Sequence, residues 1–324
     1  MNKTLIALPV VLLAACSSPR EQNTASTAVG VQAAPGLATM LGGEGRAERS
    51  FGTFGSAVLS SGIFDGADPW DEYTLIAVRD RDLAGFGSKL QTYGPSELST
   101  ILEFHVLPGR IGSQMLSSDT SFETLSGQRL FVSNWGGEVE VYARGANGER
   151  ASSATVLETD IEFEHGLLHF VDRPLVPATD DLRTTLERLG DFDILLSIVD
   201  RSGVGQLLDS DGPFTLLAPT DRAFEAVYGV DFDLDSELVG DVLDDAVEPR
   251  LLIDDVLESL GHHMFAGRVY ARDFSTGSMN SLDGSAVEVR FGKQGFSFGD
   301  ARVMRSDLET RNGVIHVVDG LIQG

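Results

Sequence analysis

Apolar residues recur along this chain with two periods, one typical of helices and one typical of strands. Four residues carry the helical period on one face: Ile194, Leu195, Ile198 and Val199. Gly203 follows them and predicts the end of that helix. FTLLA (214–218) is a short apolar strand. PTDRAFEAVYG (219–229) then predicts a second helix, with Thr220 or Asp221 as its cap.

Alternating apolar and polar residues predict the strands that follow. SLDGSAVEVRFG (281–292) and GFSFGDARVMRSD (295–307) alternate around turn residues, so we expect paired strands. NGVIHVVDG (312–320) is apolar on both faces, and His316 lies within it. A strand of this kind is typically buried on both sides of its sheet. Together these elements predict an α+β unit.

The pattern occurs twice in the chain. Residues 54–86 align with residues 195–227 without a gap, at an offset of 141 (195 − 54). Three matched pairs stand out as structural motif residues: His105 with His263, His169 with His316, and Asp172 with Asp319. A repeat this long predicts two tandem domains, at residues 51–177 and 182–324. The segment RPLVPATDD (173–181) is their expected linker.

Charge and cysteine content narrow the possible functions. The chain has 324 residues, with 49 acidic and 24 basic side chains and a net charge of −25. It lacks the basic surface that a nucleic-acid partner requires. Its single cysteine, Cys16, allows no intramolecular disulfide. The sequence contains no serine elbow, Walker loop, dinucleotide fingerprint or zinc-protease motif, so we expect no catalytic residues and no cofactor.

The first residues predict export and attachment to a membrane. Lys3 precedes an apolar run, residues 5–15, that is too short to span a bilayer and has the layout of a secretory signal. The stretch LAAC, which ends at Cys16, resembles a bacterial lipobox. The resemblance implies removal of residues 1–15 as a signal peptide and lipidation of Cys16 by several acyl chains, such as palmitate, which anchor a protein firmly.

The segment after the lipobox has the composition of a tether. Residues 16–50 comprise the lipidated cysteine and a stretch rich in Ser, Thr, Ala and Gly without a periodic apolar set, so we expect a flexible linker. Ser17 resembles the sorting residue of outer-membrane lipoproteins. The periplasmic or cell-surface face of that membrane remains open.

Two ordered motifs resemble those of the fasciclin-like (FAS1) domain. In the second copy they are TLLAPTDRAF (215–224) and NGVIHVVDGLI (312–322), with HMFAGR and SLDGSAVEV between them. The first copy has YTLIAVRDRDLAGF, where Val78 and Arg79 replace the usual proline and threonine, and the better-matched HGLLHFVDRPLVP. The two copies cover nearly the whole mature chain.

The resemblance implies two domains, each a β-wedge or β-sandwich flanked by helices. It also implies a module for cell adhesion or matrix contact outside the cell. Some animal members of the family bind receptors through a Tyr-His pair. The matching pairs here, Phe104-His105 and His262-His263, both lack the tyrosine, so we do not carry that activity over.

The histidines are the first candidates for metal binding. His165 and His169 are four residues apart, which on a strand is about 13 Å and too far for one ion. His262 and His263 are expected on a helix, where adjacent side chains diverge. We therefore expect no metal site. Because His169 and His316 occupy the same slot in both copies, we expect both to be buried and hydrogen-bonded within their own domains.

An acidic segment and two tryptophans complete the candidates. In residues 231–245, acidic side chains alternate with other residues as they do in a calcium-binding loop. However, Ser236 and Val242 occupy the positions at which such a loop needs Gly and Glu. Weak divalent binding there stays open. Trp70 and Trp135 lie in a predicted loop and a predicted turn. An exposed tryptophan would anchor a partner or stack on a sugar, and core packing is the alternative.

These observations favour a membrane-anchored extracytoplasmic adhesion or interaction protein without catalysis. Its expected partners are proteins or surface polysaccharides, along with the lipid bilayer. One alternative is an envelope scaffold that organises a partner on the same membrane. Another is a binder of, or an enzyme acting on, a small molecule or glycan. The sequence leaves open the partner, the contact surface and the oligomeric state.

Overall fold

The computed structural model describes most of the chain beyond residue 50. The described ranges are 51–64, 71–84, 92–116, 120–202, 205–228, 260–292 and 295–322, with Phe86 and Lys89. The predicted signal peptide, Cys16 and its tether, Trp70 and the acidic segment 231–245 lie outside the described residues. No helix in the described ranges is long and apolar enough to cross a membrane.

The first domain combines short helices with one sheet. Its helices are α1 (Gly52–Ser60), α2 (Asp80–Leu83) and α3 (Pro95–Phe104), and Ser113–Met115 form a 3₁₀ turn. Its strands are β1 (Tyr73–Val78), β2 (Val106–Pro108), β3 (Ser121–Glu123), β4 (Arg129–Trp135), β5 (Glu138–Arg144), β6 (Arg150–Phe163) and β7 (Gly166–Val171).

The second domain repeats this arrangement. Its helices are α4 (Leu182–Leu189), α5 (Asp193–Ser202), α6 (Gly205–Asp209) and α7 (Asp221–Tyr228), and Ala271–Asp273 form a 3₁₀ turn. Its strands are β8 (Phe214–Pro219), β9 (Met264–Ala266), β10 (Gly277–Asn280), β11 (Ala286–Gly292), β12 (Gly295–Phe298), β13 (Ala301–Thr310) and β14 (Gly313–Val318).

The two sheets have the same strand order. It is β2-β1-β7-β6-β5-β4-β3 in the first domain and β9-β8-β14-β13-β12-β11-β10 in the second. The last strand of each domain runs parallel to its first strand, β7 to β1 and β14 to β8. The other strand pairs are antiparallel. The predicted α+β class and tandem arrangement are confirmed.

The central strands are buried on both faces, as their sequence pattern predicts. Every residue of β7 and of β14 is buried. In the second domain, Ile315 and Val317 pack with the buried residues of α4 and α5. Val318 instead packs with Val289 and Phe298 from the antiparallel half of the sheet. The strand therefore joins two apolar layers, and its polar side chains need partners inside the domain.

Local sequence signals set where helix α4 begins and ends, and one expected helical segment is instead a turn. Asp181 caps α4 by accepting the backbone N–H of Thr184 at 2.8 Å, and Gly190 ends it in the left-handed region at φ 77°. The expectation that His262 and His263 lie on a helix is wrong. They form a turn that leads directly into β9, because the strand pairing with β8 begins at Met264.

Candidate functional site

His169 and His316 lie at the same place in the central strands, and both rings are buried. The Nε2 of His169 donates to the carbonyl oxygen of Ile111 at 2.7 Å, and its Nδ1 accepts the N–H of Asp160 at 3.2 Å. The second domain repeats both bonds, with His316, Val269 and Asp307. Burial lowers the pKa of both imidazoles. Each ring is therefore a neutral bridge between a strand and a loop.

The aspartates in these bridges sit at irregular points of the neighbouring strands. Asp160 and Asp307 have φ of 58° and 59°, a left-handed conformation that aspartate tolerates better than most residues. The pairing of β6 with β7 and of β13 with β14 shifts register there. The Asp160 carboxylate accepts the N–H of Ser113 at 2.8 Å, and Asp307 accepts that of Ala271 at 2.7 Å. The histidine and aspartate together hold the loop after β2 or β9.

His105 and His263 hold the segment that leaves each domain. The Nδ1 of His105 donates to the carbonyl oxygen of Ile101 at 2.7 Å, and its Nε2 accepts the N–H of Leu175 at 3.0 Å. Burial lowers the pKa of His105 to about 4, so the ring stays neutral. His263 accepts the N–H of Ile322 at 3.2 Å in the same manner.

Asp172 and Asp319 join the end of each central strand to its neighbour. Asp172 accepts the N–H of Thr155 at 2.8 Å, and Asp319 accepts the N–H of Arg302 at 2.8 Å. The six motif residues thus act at three separate places in each domain. The structure does not bring them together into one site, and each bonds to backbone groups of its own domain.

A further pair of equivalent aspartates, Asp80 and Asp221, was missed as a motif. Of the two residues expected to cap α7, Thr220 or Asp221, the second caps a different helix. Asp221 accepts the first two N–H groups of α5, at 3.3 and 2.9 Å, so its carboxylate caps that helix rather than its own helix α7. Asp80 does the same for α1, at 3.1 and 2.9 Å. The repeat contained the signal, because Asp80-Arg81 aligns with Asp221-Arg222.

The two domains meet through polar contacts. The Gln128 side chain donates to the carbonyl of Ala178 at 2.8 Å and accepts its N–H at 3.0 Å, which fixes the linker on the first domain. Arg129 donates to Asp273 at 2.8 Å, and its guanidinium lies 4.4 Å from the ring centre of Tyr270. One arginine of the first domain therefore contacts two side chains of the second.

Further contacts extend this interface. A guanidinium nitrogen of Arg144 lies 3.7 Å from a carboxylate oxygen of Asp307, and Arg305 donates to the carbonyl of Asn147 at 3.3 Å. The surface of the second domain that accepts these contacts is called the receiving face here. It consists of Arg268, Tyr270, Asp273, Asp307 and Glu309.

A buried ion pair lies at the centre of the receiving face. Arg268 and Glu309 are 3.4 Å apart, and their side chains are 6% and 1% exposed. Arg268 also donates to the carbonyl oxygens of Thr310 and Arg311, at 2.9 and 2.6 Å. Gly127 of the first domain approaches so closely that an added Cβ would lie 3.4 Å from the Arg268 Nε. Burial raises the pKa of Glu309 to about 7, although Arg268 opposes that rise.

The outer face of β4 and β5 carries exposed aromatic surface. Trp135, at the end of β4, is 82% exposed, which rules out core packing for this tryptophan. Two residues of the same face, Phe131 and Tyr142, stack with ring centres 5.4 Å apart. Arg144 lies over Phe131 at 4.5 Å and Arg150 over Tyr142 at 4.0 Å. The arginines cover the inner pair of rings, and Trp135 extends beyond them.

A cavity of 460 Å³ lies in the second domain beside His262. Its charged lining includes Glu288 and Arg290, which pair with each other at 2.6 Å. His262 itself lies 3.5 Å from Asp283. Within the described ranges, no three His, Cys, Asp or Glu side chains converge as metal ligands would.

Comparison with known proteins gives the same domain in both halves. The model of the family described as Fasciclin domain matches residues 50–177 and 190–323. The chain is 27% identical over 228 residues to the transforming growth factor-beta-induced protein ig-h3 of Oryctolagus cuniculus, covering 70% of this chain and 30% of that protein. It thus spans less than a third of the length of that relative.

The comparisons also include a bacterial relative and a solved structure. Protein sll1483 of Synechocystis sp. is 29% identical over 151 residues, covering 45% of this chain and 76% of that protein. A FAS1 domain pair from the insect cell adhesion molecule fasciclin I aligns with a TM-score of 0.37 and 16% identity, covering 86% of this chain and 98% of that one.

Proposed function

Because the chain belongs to the fasciclin domain family, we propose that it is a non-catalytic adhesion or interaction protein. It acts outside the cytoplasm and is held on the outer membrane by acyl chains on Cys16. Its partners are proteins or surface polysaccharides. The lipobox-like sequence supports the anchor, and the family of both domains supports the interaction role.

The single observation that carries the interaction role is the exposure of Trp135. A tryptophan that is 82% exposed leaves a large apolar surface in water. Tryptophans at such positions are enriched among the residues that dominate binding interfaces. The buried polar groups support the same conclusion, because the six motif residues all bond to backbone groups that hold the fold. These residues therefore stabilise the fold and are not the reactive groups of an active site.

Attachment assays on cells test this proposal. Strains carrying the parent chain, Trp135→Ala and Cys16→Ser are compared for surface attachment and cell–cell aggregation, with protein amounts checked by immunoblot. We expect Cys16→Ser to release the protein in soluble form and Trp135→Ala to weaken attachment without lowering the protein level. Met304→Ala is the matched control, since it removes another large exposed apolar side chain, on β13 of the second domain.

Two results would contradict the proposal. Unchanged attachment in a further strain that lacks the protein, together with loss of a co-purifying envelope complex, would identify a scaffold on the same membrane instead. Resistance of the mature chain to protease added to intact cells would place it facing the periplasm and exclude adhesion to other cells.

A further inference from the structure

The buried ion pair of the receiving face has an exposed equivalent in the first domain. Arg268 corresponds to Arg110 at an offset of 158 (268 − 110), and Glu309 to Glu162 at an offset of 147 (309 − 162). The Glu162 side chain is 76% exposed, whereas the Glu309 side chain is 1% exposed. The same pair of residues therefore occurs once in contact with water and once at the interface between the domains.

The two arginines distribute their hydrogen bonds in opposite ways. Arg110 lies 2.6 Å from its partner Glu162 and 3.4 Å from the carbonyl oxygen at the start of β7. Arg268 reverses this order, with 3.4 Å to Glu309 and 2.5 Å to the carbonyl oxygen at the start of β14. It also donates to two further carbonyl oxygens, at 2.9 and 2.6 Å. The buried guanidinium therefore serves the backbone and leaves the Glu309 carboxylate with one long contact.

Three buried polar atoms at this place have no hydrogen-bond partner in the part of the chain that the structure describes. They are the Nε of Arg268, the hydroxyl of Tyr270 and the Oε1 of Glu309. A buried ion pair is favourable only when its geometry is good and its remaining polar atoms are satisfied. A proton on Glu309 removes the charge and turns an acceptor into a donor as well. The geometry therefore fits a neutral carboxyl better than a carboxylate.

The groups that face Glu309 come from both domains. Arg268 and Tyr270 lie in the loop after β9, Asp307 lies on β13, and Arg129 contributes its backbone from the first domain. Arg268 favours ionisation of Glu309 and Asp307 opposes it, but burial has the largest effect and raises the pKa of Glu309 to about 7.

The other charged groups of the interface have partners. Three of them contact a group of the other domain: Asp273, Arg144 and Arg305. Two groups nearby stay within the second domain: Arg311, which pairs with Asp181, and His316, which accepts the N–H of Asp307. Glu309 is thus the carboxylate of the interface that gains most from water when it ionises.

We propose that a proton on Glu309 holds the two domains together and that the domains separate when this carboxyl ionises. Separation lets water hydrate the carboxylate, as it does for Glu162, while Arg268 keeps its carbonyl partners. Polar interfaces between the domains of one chain are marginal, so the change of one buried charge is enough to open them. This inference goes beyond an interaction role, because it makes the arrangement of the domains respond to acidity.

The direction of the response follows from the two environments of the carboxyl. Its pKa is about 7 when the first domain covers it and returns towards the ordinary 4.5 when water reaches it. The ratio of closed to open molecules is therefore highest below pH 4.5 and falls about tenfold for each pH unit up to about pH 7. Above that value the ratio is constant.

X-ray scattering of the soluble Cys16→Ser chain at about pH 5.5 and about pH 8 tests this response, in the window set by the two pKa values. We expect a larger radius of gyration at the higher pH, with the data extrapolated to zero concentration to exclude association. Circular dichroism at both pH values separates domain opening from unfolding. Its spectrum should not change, because each domain keeps its own core.

Two matched variants assign the response to one carboxyl. Glu309→Gln keeps the size of the side chain and stays neutral, so at the higher pH it should keep the radius that the parent has at the lower pH. Glu162→Gln changes the equivalent glutamate, which also pairs with an arginine but is 76% exposed. It should expand with pH as the parent does.

Equal radii of the parent at both pH values would overturn the inference. So would a Glu309→Gln chain that expands as the parent does, since the response would then belong to other groups. Loss of the response in Glu162→Gln would assign it to the general charge of the molecule and defeat the role of Glu309. Loss of secondary structure at the higher pH would show unfolding in place of domain separation.

Discussion

At the scale of single residues, the buried histidines serve as connectors. His169 and His316 use both ring nitrogens, one as a donor to a loop carbonyl and one as an acceptor from a strand N–H. A purely apolar side chain would leave both backbone groups unsatisfied in the core, which costs free energy. The strand pattern alone predicts burial. The two hydrogen bonds explain why the side chain is an imidazole rather than another Val or Ile.

Replacing His316 by Phe tests this role. The ring volume is kept, but the N–H of Asp307 and the carbonyl of Val269 lose their partners. We expect a loss of about 2–4 kcal/mol in the free energy of unfolding, measured by urea titration at pH 8. His165→Asn, in the turn before β7, is the control and should cost less than about 1 kcal/mol. An equal effect of both substitutions would mean that the two hydrogen bonds contribute little.

Glu309 and Glu162 are equivalent residues of the two domains that lie in different environments. Both pair with the equivalent arginine, but the first domain covers only Glu309. Its surroundings are Arg268, Tyr270, Asp307 and the backbone of Arg129. Burial penalises the charged carboxylate more than Arg268 favours it, so the pKa rises from 4.5 to about 7.

That rise predicts a pH dependence of definite sign. Between pH 4.5 and 7 the folded state binds a proton at Glu309 that the unfolded state has released. The contribution of this proton binding to the free energy of unfolding is therefore fully present below pH 4.5. It is lost as the pH rises towards 7, and the loss is roughly 3 kcal/mol at most. The stability of the parent chain relative to Glu309→Gln should fall over this range in urea titrations. A Glu309→Gln profile that runs parallel to that of the parent chain would contradict the assignment.

At the scale of elements, the sequence predicts what depends on local pattern and on the repeat. The described part of α5 ends at Ser202, and the expected stop at Gly203 lies just outside the described residues. The strand β14 is buried on both faces, as its apolar residues indicate. The pairing of β11 with β12 follows from the alternation around the turn. The caps were harder, because Asp221 accepts N–H groups from a helix that precedes it by about 30 residues.

The cap contacts predict a matched pair of substitutions. Asp221→Ala removes the acceptor for the first turn of α5, and Asp80→Ala removes that of α1. Each should lower the free energy of unfolding by about 1 kcal/mol. Asn in place of either Asp should restore much of the loss, because its carbonyl oxygen still accepts. Circular dichroism during urea unfolding measures both effects, and Asn variants as unstable as the Ala variants would favour a charge effect over capping.

At the scale of the whole molecule, the interface between the domains could not be predicted from the sequence. Periodicity identifies faces that turn inward within one domain. The contacts of Arg129 and Arg144 instead join side chains of residue types that are ordinary at a surface, and Gln128 bonds to the linker backbone at Ala178. Arg129 and Asp273 are 144 residues apart in the chain, and no local pattern links them. The same limit applies to Trp135, whose residue type fitted a core position as well as a surface one.

Arg129 is the side chain on which the coupling of the two domains should depend most. Its substitution by Ala removes both the 2.8 Å contact with Asp273 and the cation–π contact with Tyr270. Because Asp273 is partly exposed, the loss of coupling should be only about 1–2 kcal/mol. Polar interfaces between domains of one chain are marginal, so this loss should separate the two unfolding transitions in calorimetry and raise the radius of gyration in X-ray scattering. Arg150→Ala is the matched control, since Arg150 pairs with Glu140 and lies over Tyr142 entirely within the first domain. If Arg129→Ala kept a single transition and the parent's dimensions, the contacts of Arg144 with Asp307 and of Arg305 with Asn147 would be the ones that hold the domains together.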